Sequence, residues 1–222
     1  MNIRPLLLSI LLLIATTSGA QVFKAAVMGG MNISQVDGDE VYGYKRVGGN
    51  FGAAVILPLK NWDITLETVF NQKGAYEKPQ QLPDSVFHRT FEYDLRLNYV
   101  EVPVMVHYTD KEFIGAGLGF SWGRLVSAKE VEHGGAWPPY SDTVSINKND
   151  FNILVDLQIR IYRQLKFNIR YAYSLASLRE RTFYALNSEP WQRKQYNNLF
   201  TFRLVYVINE KYIPREKKPP LE

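Results

Sequence analysis

Six charged residues recur at alternate positions of apolar segments, and they are the residues of this 222-residue chain best placed to do chemistry. They are Glu67, Glu101, Asp156, Arg160, Arg170 and Arg203, with Lys73 and His107 in similar positions nearer the segment ends. Alternation places such residues on one face of a β-strand, opposite an apolar face. If that face lines a closed interior, the charges must pair, because an unpaired buried charge is strongly unfavourable. A salt-bridge network is therefore expected, and a gated proton or ion path is the alternative.

A hydrolytic site at the rim is a competing interpretation of the histidines. Such a site needs a His base that is oriented by an acid and lies beside a nucleophile. Asp84, Ser85 and His88 are the nearest approach to such a trio, whereas His133 has no clear partner and His107 lies near a short turn. Three common loop residues often fall close together by chance, so we expect no enzymatic activity.

Neither a cofactor nor a metal is expected from the sequence. Cysteine is absent, which excludes disulfides and structural zinc sites of the Cys type. The segment Asp37-Gly38-Asp39-Glu40 resembles a calcium loop but lacks the regular ligand spacing, so it is interpreted as a turn. The net charge of +4 comes from cations that alternate with acids, except in the C-terminal tail, so no nucleic-acid binding is expected.

The two ends of the chain differ in composition from the middle. Arg4, an apolar run from Leu6 to Ala15 and the small residues Ser18-Gly19-Ala20 predict a signal peptide over residues 1–20. Residues 209–222 are basic and rich in proline, which predicts an extended tail in the periplasm. Residues 21–208 are interpreted as one domain.

Within that domain the hydrophobic pattern has the period of two that is typical of β-strands. The eight predicted strands are Val22–Ser34, Lys45–Leu57, Trp62–Tyr76, Phe91–Tyr108, Glu112–Ser127, Asp150–Tyr162, Leu165–Leu178 and Tyr196–Ile208. The fourth changes the phase of its apolar residues, which suggests a bulge near Tyr99, and Pro103 fits best beside such an irregularity. An aromatic content of 14% with a mean hydropathy of −0.21 suits a membrane barrel, in which every second strand residue faces lipid.

The connections alternate in length, which is the strongest indication of topology. Short turns are predicted at Pro58–Asn61, Thr109–Lys111 and Arg163–Gln164, and long loops at Gln35–Tyr44, Glu77–Thr90, Ala128–Asn149 and Arg179–Gln195. This is the pattern of an all-β, eight-stranded antiparallel up-and-down transmembrane β-barrel with short periplasmic turns and long extracellular loops. A barrel of this size has a lumen filled by side chains. Trp137 and Tyr140, beside prolines in the third long loop, form a candidate binding surface.

Four segments of the chain resemble the PorT-like outer-membrane β-barrel family of Bacteroidetes. They are Gly29-Gly30-Met31-Asn32-Ile33-Ser34, Leu66-Glu67-Thr68-Val69-Phe70-Asn71-Gln72-Lys73-Gly74-Ala75, Leu97-Asn98-Tyr99-Val100-Glu101-Val102-Pro103 and Gly115-Ala116-Gly117-Leu118-Gly119. The resemblance spans essentially the whole of residues 21–208. It implies an outer-membrane barrel and, from the named member, a role in type IX protein secretion. The long loops and the basic tail depart from the family pattern.

The sequence therefore favours a structural or interaction barrel in the outer membrane, and the resemblance to the PorT-like family implies that this barrel is accessory to type IX secretion. Its expected partners are outer-membrane lipid and proteins of the envelope or the secretion machinery. A small-ligand-binding, lipocalin-like barrel and a rim hydrolase are the alternatives.

Overall fold

The computed structural model describes residues 23–39, 41–81, 90–110, 113–133, 145–183 and 189–210. The predicted signal peptide, the trio Asp84, Ser85 and His88, the loop residues Trp137 and Tyr140, and the tail beyond Glu210 lie outside these ranges. No helix within the described ranges is long and apolar enough to cross a membrane.

The described residues form an antiparallel β-sheet that closes into a barrel. Its strands are β1 (Lys24–Asp37), β2 (Arg46–Leu59), β3 (Trp62–Gln81), β4 (Thr90–Asp110), β5 (Ile114–His133), β6 (Asn149–Tyr162), β7 (Leu165–Ser174), β8 (Arg179–Phe183) and β9 (Trp191–Val207). Strands β1 to β7 pair in chain order, β7 pairs with β9, and β9 pairs with β1. The predicted closed eight-stranded barrel is confirmed.

The short strand β8 lies where the sequence predicted a loop, at Arg179–Gln195, and corrects that prediction. There β8 pairs with the first residues of β9, from Arg179 opposite Gln195 to Phe183 opposite Trp191. Strands β3, β5 and β9 also extend beyond their predicted extracellular ends, to Gln81, His133 and Trp191. The sequence did not predict these extensions because their outer faces are polar, so the apolar-out pattern of a lipid-facing strand stops before the strand does.

The outer surface of the barrel carries a continuous apolar belt. Large side chains on alternate positions are exposed, among them Leu66, Val104, Leu118, Phe120, Val155 and Leu204. Leu118 and Phe120 are each 64% exposed, although burial of such side chains in a soluble protein is favourable. Lipid must therefore cover this belt, and the polar residues on the opposite strand face line the interior.

The predicted change of phase along β4 was wrong. The odd-numbered residues of this strand face the interior throughout, from the apolar Tyr93 and Leu95 to the polar Glu101 and His107. The bulge lies on β5 instead, where Val126 falls between the pairs Tyr99–Leu125 and Asn98–Ser127. What changes along β4 is the chemistry of the interior.

The short turns lie at the predicted periplasmic end. Lys60 and Arg163 adopt positive φ values of 59° and 42° in the turns that follow β2 and β6. The predicted turn at Thr109–Lys111 begins later, since β4 continues to Asp110. Pro103 pairs with Ser121 of β5, while on its other side the β3–β4 ladder is interrupted between Leu66–Val104 and Val69–Glu101. Because proline has no N–H to donate, it is tolerated at such a gap.

Candidate functional site

Four charged side chains from four strands meet in the middle of the lumen, and we call them the central cluster: Glu67, Asp156, Arg170 and Arg203. Arg170 donates to Glu67 through both terminal nitrogens, each at 2.9 Å. Arg203 donates to the same carboxylate through its own pair, each at 3.0 Å. Glu67 therefore accepts four charge-assisted hydrogen bonds in two bidentate pairs, which is the strongest geometry for an arginine and a carboxylate.

Asp156 completes the charge balance of the central cluster. It accepts hydrogen bonds from Arg170 Nε at 2.6 Å and from Arg170 Nη2 at 2.8 Å. All four residues are at most 5% exposed, so two guanidinium groups and two carboxylates are buried together with no net charge. This balance offsets the large desolvation penalty that each ion would suffer alone.

Strand register explains how the cluster assembles. Asp156 of β6 lies directly opposite Arg170 of β7. Asn168 of β7 lies directly opposite Arg203 of β9 and accepts from its Nε at 2.7 Å. Glu67 reaches the two arginines from β3, on the far wall of the barrel. The contact is possible because an eight-stranded barrel is only about as wide as two opposed side chains.

His107 joins the central cluster from β4. Its Nε2 lies 3.1 Å from Asp156 Oδ2 and its Nδ1 lies 3.4 Å from Thr65 Oγ1. Gln158 Nε2 also lies 3.0 Å from His107 Nε2. Gly117 of β5 makes room for the ring, since a Cβ there would lie 2.2 Å from His107 Cδ2. His107 also borders a cavity of about 20 Å³, the space of roughly one water molecule.

A second set of buried charges lies nearer the extracellular end, and we call Lys73, Glu101 and Asp150 the lysine cluster. Lys73 Nζ lies 2.5 Å from Glu101 Oε1 and 2.9 Å from Asp150 Oδ2. Ser174 and Asn197 donate to Asp150, at 2.5 Å and 3.1 Å. Glu101 thus lies apart from the other predicted lumen residues and pairs with a lysine.

Above the lysine cluster the lumen becomes apolar. A buried group of side chains fills it, which we call the apolar plug: Val36, Val41, Ala75, Tyr93, Leu95, Leu97, Tyr99 and Leu178. Leu95 and Leu97 have no exposed surface. The Tyr99 ring forms the boundary, since Lys73 Nζ lies 5.0 Å from its centroid.

A salt bridge covers the plug at the extracellular rim. Arg179 of β8 donates to both oxygens of Glu130 on β5, at 2.6 and 2.5 Å, and to Gln195 Oε1 at 2.7 Å. Tyr93 Oη also donates to Glu130, at 3.1 Å. Although burial alone would raise the pKa of the Glu130 carboxyl, the hydrogen bonds from Arg179 hold it below its usual value. Strand β8 is thereby fixed to the opposite side of the barrel.

Asp39, in the turn after β1, is a rim carboxyl whose pKa is shifted in the opposite direction to that of Glu130. It is 5% exposed, and burial raises its pKa from 3.8 to about 7. Its Oδ1 accepts the Val41 N–H at 2.9 Å, and its Oδ2 is buried without a hydrogen-bond partner. Gly38 allows this turn, with φ at 89° and no Cβ to clash with the Lys194 carbonyl. The predicted turn at Asp37–Glu40 agrees with this geometry for its described residues.

Arg160 was predicted to join the lumen network, but it does not contact the central cluster. It lies at the periplasmic end, four positions along β6 from Asp156, and donates to Glu210 Oε2 at 2.9 Å. Lys24 also contacts Glu210, at 3.0 Å. Burial opposes ionisation of Glu210, but the hydrogen bond from Arg160 and the charges of Lys166 and Lys24 lower its pKa to about 2. The segment after β9 therefore closes the bottom of the barrel.

Several members of these clusters were not predicted. Asp150 and Asn168 lie on the same strand faces as Asp156 and Arg170, so their alternation could have identified them. Arg179 and Glu130 gave no such signal, because both lie in segments predicted as loops. His133 ends β5 without a described side chain. Within the described ranges, no group of three or more His, Cys, Asp or Glu side chains could hold a metal ion.

Comparison with known proteins places this geometry in a family. The family model described as outer membrane protein beta-barrel domain matches residues 20–180. No curated protein matches the chain. Among solved structures, Ail, the attachment invasion locus protein of Yersinia pestis, is 13% identical, with 83% of this chain and 98% of that chain covered and a TM-score of 0.43.

Two further solved structures are similar at the same level. A major outer membrane protein from Thermus thermophilus is 11% identical, with 84% and 100% of the two chains covered and a TM-score of 0.45. OprG from Pseudomonas aeruginosa is 8% identical, with 86% and 99% covered and a TM-score of 0.43. The family model covers most of the chain, and its match agrees with the apolar belt and the closed strand order. The chain therefore belongs to the outer membrane protein beta-barrel domain family and is an outer-membrane β-barrel.

Proposed function

We propose that this barrel is a non-catalytic interaction protein of the cell envelope, which acts through its ends and not through its lumen. The observation that supports this is the filled interior. From the periplasmic side, a solute meets the Glu210 ion pairs, the central cluster, the lysine cluster and then the apolar plug. The plug fills the lumen between the buried charges and the rim, and the polar side chains beside it on β9, Asn197 and Gln195, are themselves at most 1% exposed.

The same observation argues against the two other classes of function. A path for hydrated ions needs water along its whole length, and the plug fills the lumen with side chains of which Leu95 and Leu97 have no exposed surface. A lipocalin-like carrier needs an apolar cavity and a polar exterior. This barrel has charged side chains inside its membrane zone and exposed apolar side chains outside it.

Conductance of the purified, refolded protein in planar lipid bilayers tests the closed lumen. We expect no stepwise current for the wild type. The matched variant Leu95→Ser/Leu97→Ser, which places hydroxyls in the plug, should conduct more than a control with Val104→Ser on the lipid-facing surface. Stepwise currents from the wild type would contradict the proposal.

We further propose that the barrel belongs to the PorT-like group and is accessory to type IX secretion. The four resembling segments support this, and the rim at Arg179 together with the loop residues Trp137 and Tyr140 offers the contact surface. A deletion strain should retain type IX cargo in the periplasm. Complementation with the wild type should restore export, and complementation with Trp137→Ser/Tyr140→Ser should not. Normal export in the deletion strain would exclude the secretion role and leave the closed-lumen proposal intact.

A further inference from the structure

Three cations lie on the outer wall of β4 and β5, two of them above the apolar belt and the third, Arg124, opposite Val100 at its upper edge. Arg96 of β4 and Lys129 of β5 lie directly opposite each other. Like charges directly opposite on neighbouring strands are destabilising unless something neutralises them. Arg124 lies on the same outer face of β5, nearer the belt, and donates to Asn149 Oδ1 at 2.9 Å.

One described carboxylate contacts this group. Asp94 accepts from Arg96 at 2.7 Å and from Arg46 at 2.7 Å, so two cations already share its single charge. No described carboxylate forms an ion pair with Lys129 or Arg124. The patch therefore keeps an excess of positive charge, although the Arg96 side chain is 54% exposed and could move away from its neighbours.

The height of the patch relates it to the membrane. Tyr108, Val106, Val104 and Val100 of β4 face lipid, and Arg96 follows on the same face, twelve residues above Tyr108. At about 3.3 Å per residue and a strand tilt near 40°, that is a height of about 30 Å. The apolar band of such barrels is about 25 Å tall. Arg96 and Lys129 thus lie at the level of the extracellular lipid headgroups.

The bulge adds an apolar contact within the patch. Val126 lies between Arg124 and Lys129 along β5 and is 63% exposed on the outer face. Val126 therefore offers an apolar contact beside the cations.

We propose that Arg96, Lys129 and Arg124 form a binding site for the phosphorylated sugar headgroup of an outer-leaflet glycolipid. The two cations of the Arg96–Lys129 pair neutralise a phosphate, and Arg124 and Val126 contact the lipid below them. Basic groups at membrane level bind anionic headgroups in this way.

Native mass spectrometry of the detergent-solubilised protein with diphosphoryl lipid A tests the site. Arg96→Gln/Lys129→Gln should weaken binding about thirtyfold, the product of two cations near an anionic surface. Arg193→Gln/Lys194→Gln removes the same charge from exposed positions of β9 and should leave binding unchanged. Dephosphorylated lipid A should bind the wild type as weakly as diphosphoryl lipid A binds the double variant.

Three outcomes would overturn the proposal. The first is equal affinity of the wild type and the Arg96→Gln/Lys129→Gln variant, once both show the same heat-modifiable migration of a folded barrel. The second is equal weakening by the Arg193→Gln/Lys194→Gln control, which would indicate general charge attraction. The third is complete displacement of lipid A by excess inorganic phosphate, which would indicate a site for free phosphate.

Discussion

The lower and upper halves of the lumen are formed by the same strands but differ in which side chains face inward and which face outward. In the lower half, β4 directs Glu101 and His107 inward and Val104 and Val106 outward. In the upper half it directs Leu95 and Leu97 inward and Arg96 outward, with no change of parity. The medium outside the wall explains the difference. Lipid requires an apolar outer face, and water above the membrane permits a polar one.

This difference also determines which interactions stabilise each half. The lower half exposes large apolar side chains to lipid, and its interior combines an apolar group around Met28, Ile56 and Val205 with paired charges. The value of those charges depends on every partner being present. The upper half is packed like the core of a soluble protein, where stability comes from removing apolar surface from water. The two halves should therefore respond differently to substitution and to pH.

The largest expected effect is the loss of Glu67. Glu67→Gln leaves Arg170 and Arg203 sharing Asp156, with an uncompensated buried positive charge. Breaking a buried ion pair in this way costs about 3–5 kcal/mol, measurable by urea unfolding in lipid vesicles. The double variant Glu67→Met/Arg203→Met restores the balance and should be more stable than Glu67→Gln. A single variant within about 1 kcal/mol of the wild type would contradict the role given to the central cluster.

A cavity in the apolar plug should have a slightly smaller effect. Leu95→Ala removes a fully buried side chain and should lower the free energy of unfolding by about 3 kcal/mol. The loss should be the same at pH 5 and pH 8, since no charge is involved. Val104→Ala, on the lipid-facing side of the same strand, is the control and should cost less because lipid tails close over the smaller side chain. Equal losses for the two variants would remove the distinction between plug and wall.

The pH dependence of the turn at Asp39 should be the smallest of these effects. The folded pKa of Asp39, about 7, lies above its ordinary value of 3.8, so the folded state binds the extra proton between these values. Stability of the turn should therefore fall as pH rises from about 4 to about 7. Carbon-13 NMR of the Asp39 carboxyl should show a midpoint near 7, and Val41 amide protection should decrease over the same range. In Asp39→Asn that decrease should vanish; a midpoint near 4 would show that the carboxyl is not buried as described.

The barrel was predictable from local information to an unusual degree. Alternation identified the seven strands before the last loop and the final strand, because each must be apolar on its lipid face. The turns at Lys60–Asn61 and Arg163–Gln164 were predictable because polar residues interrupt that pattern. The extensions of β3, β5 and β9 and the whole of β8 were not, since in water their outer faces carry no apolar signal.

The candidate site was predictable in its membership more than in its pairing. Glu67, Asp156, Arg170 and Arg203 were identified by strand face, and their common height follows from counting residues from the turns. Arg160 shows the limit of that argument, since its face is correct but its height brings it to Glu210. Arg179 and Glu130 are 49 residues apart and follow no repeating pattern, so only the closed rim brings them together.

By itself, the sequence determined which residues face lipid, because a membrane imposes its requirement on every exposed side chain separately. The tertiary structure decided which buried charges pair across the barrel, where the interior changes from charged to apolar, and how Arg179 and Glu210 close its two ends. These depend on strand register and barrel closure, which set distances between residues far apart in the chain. A periodic pattern carries no information about those distances.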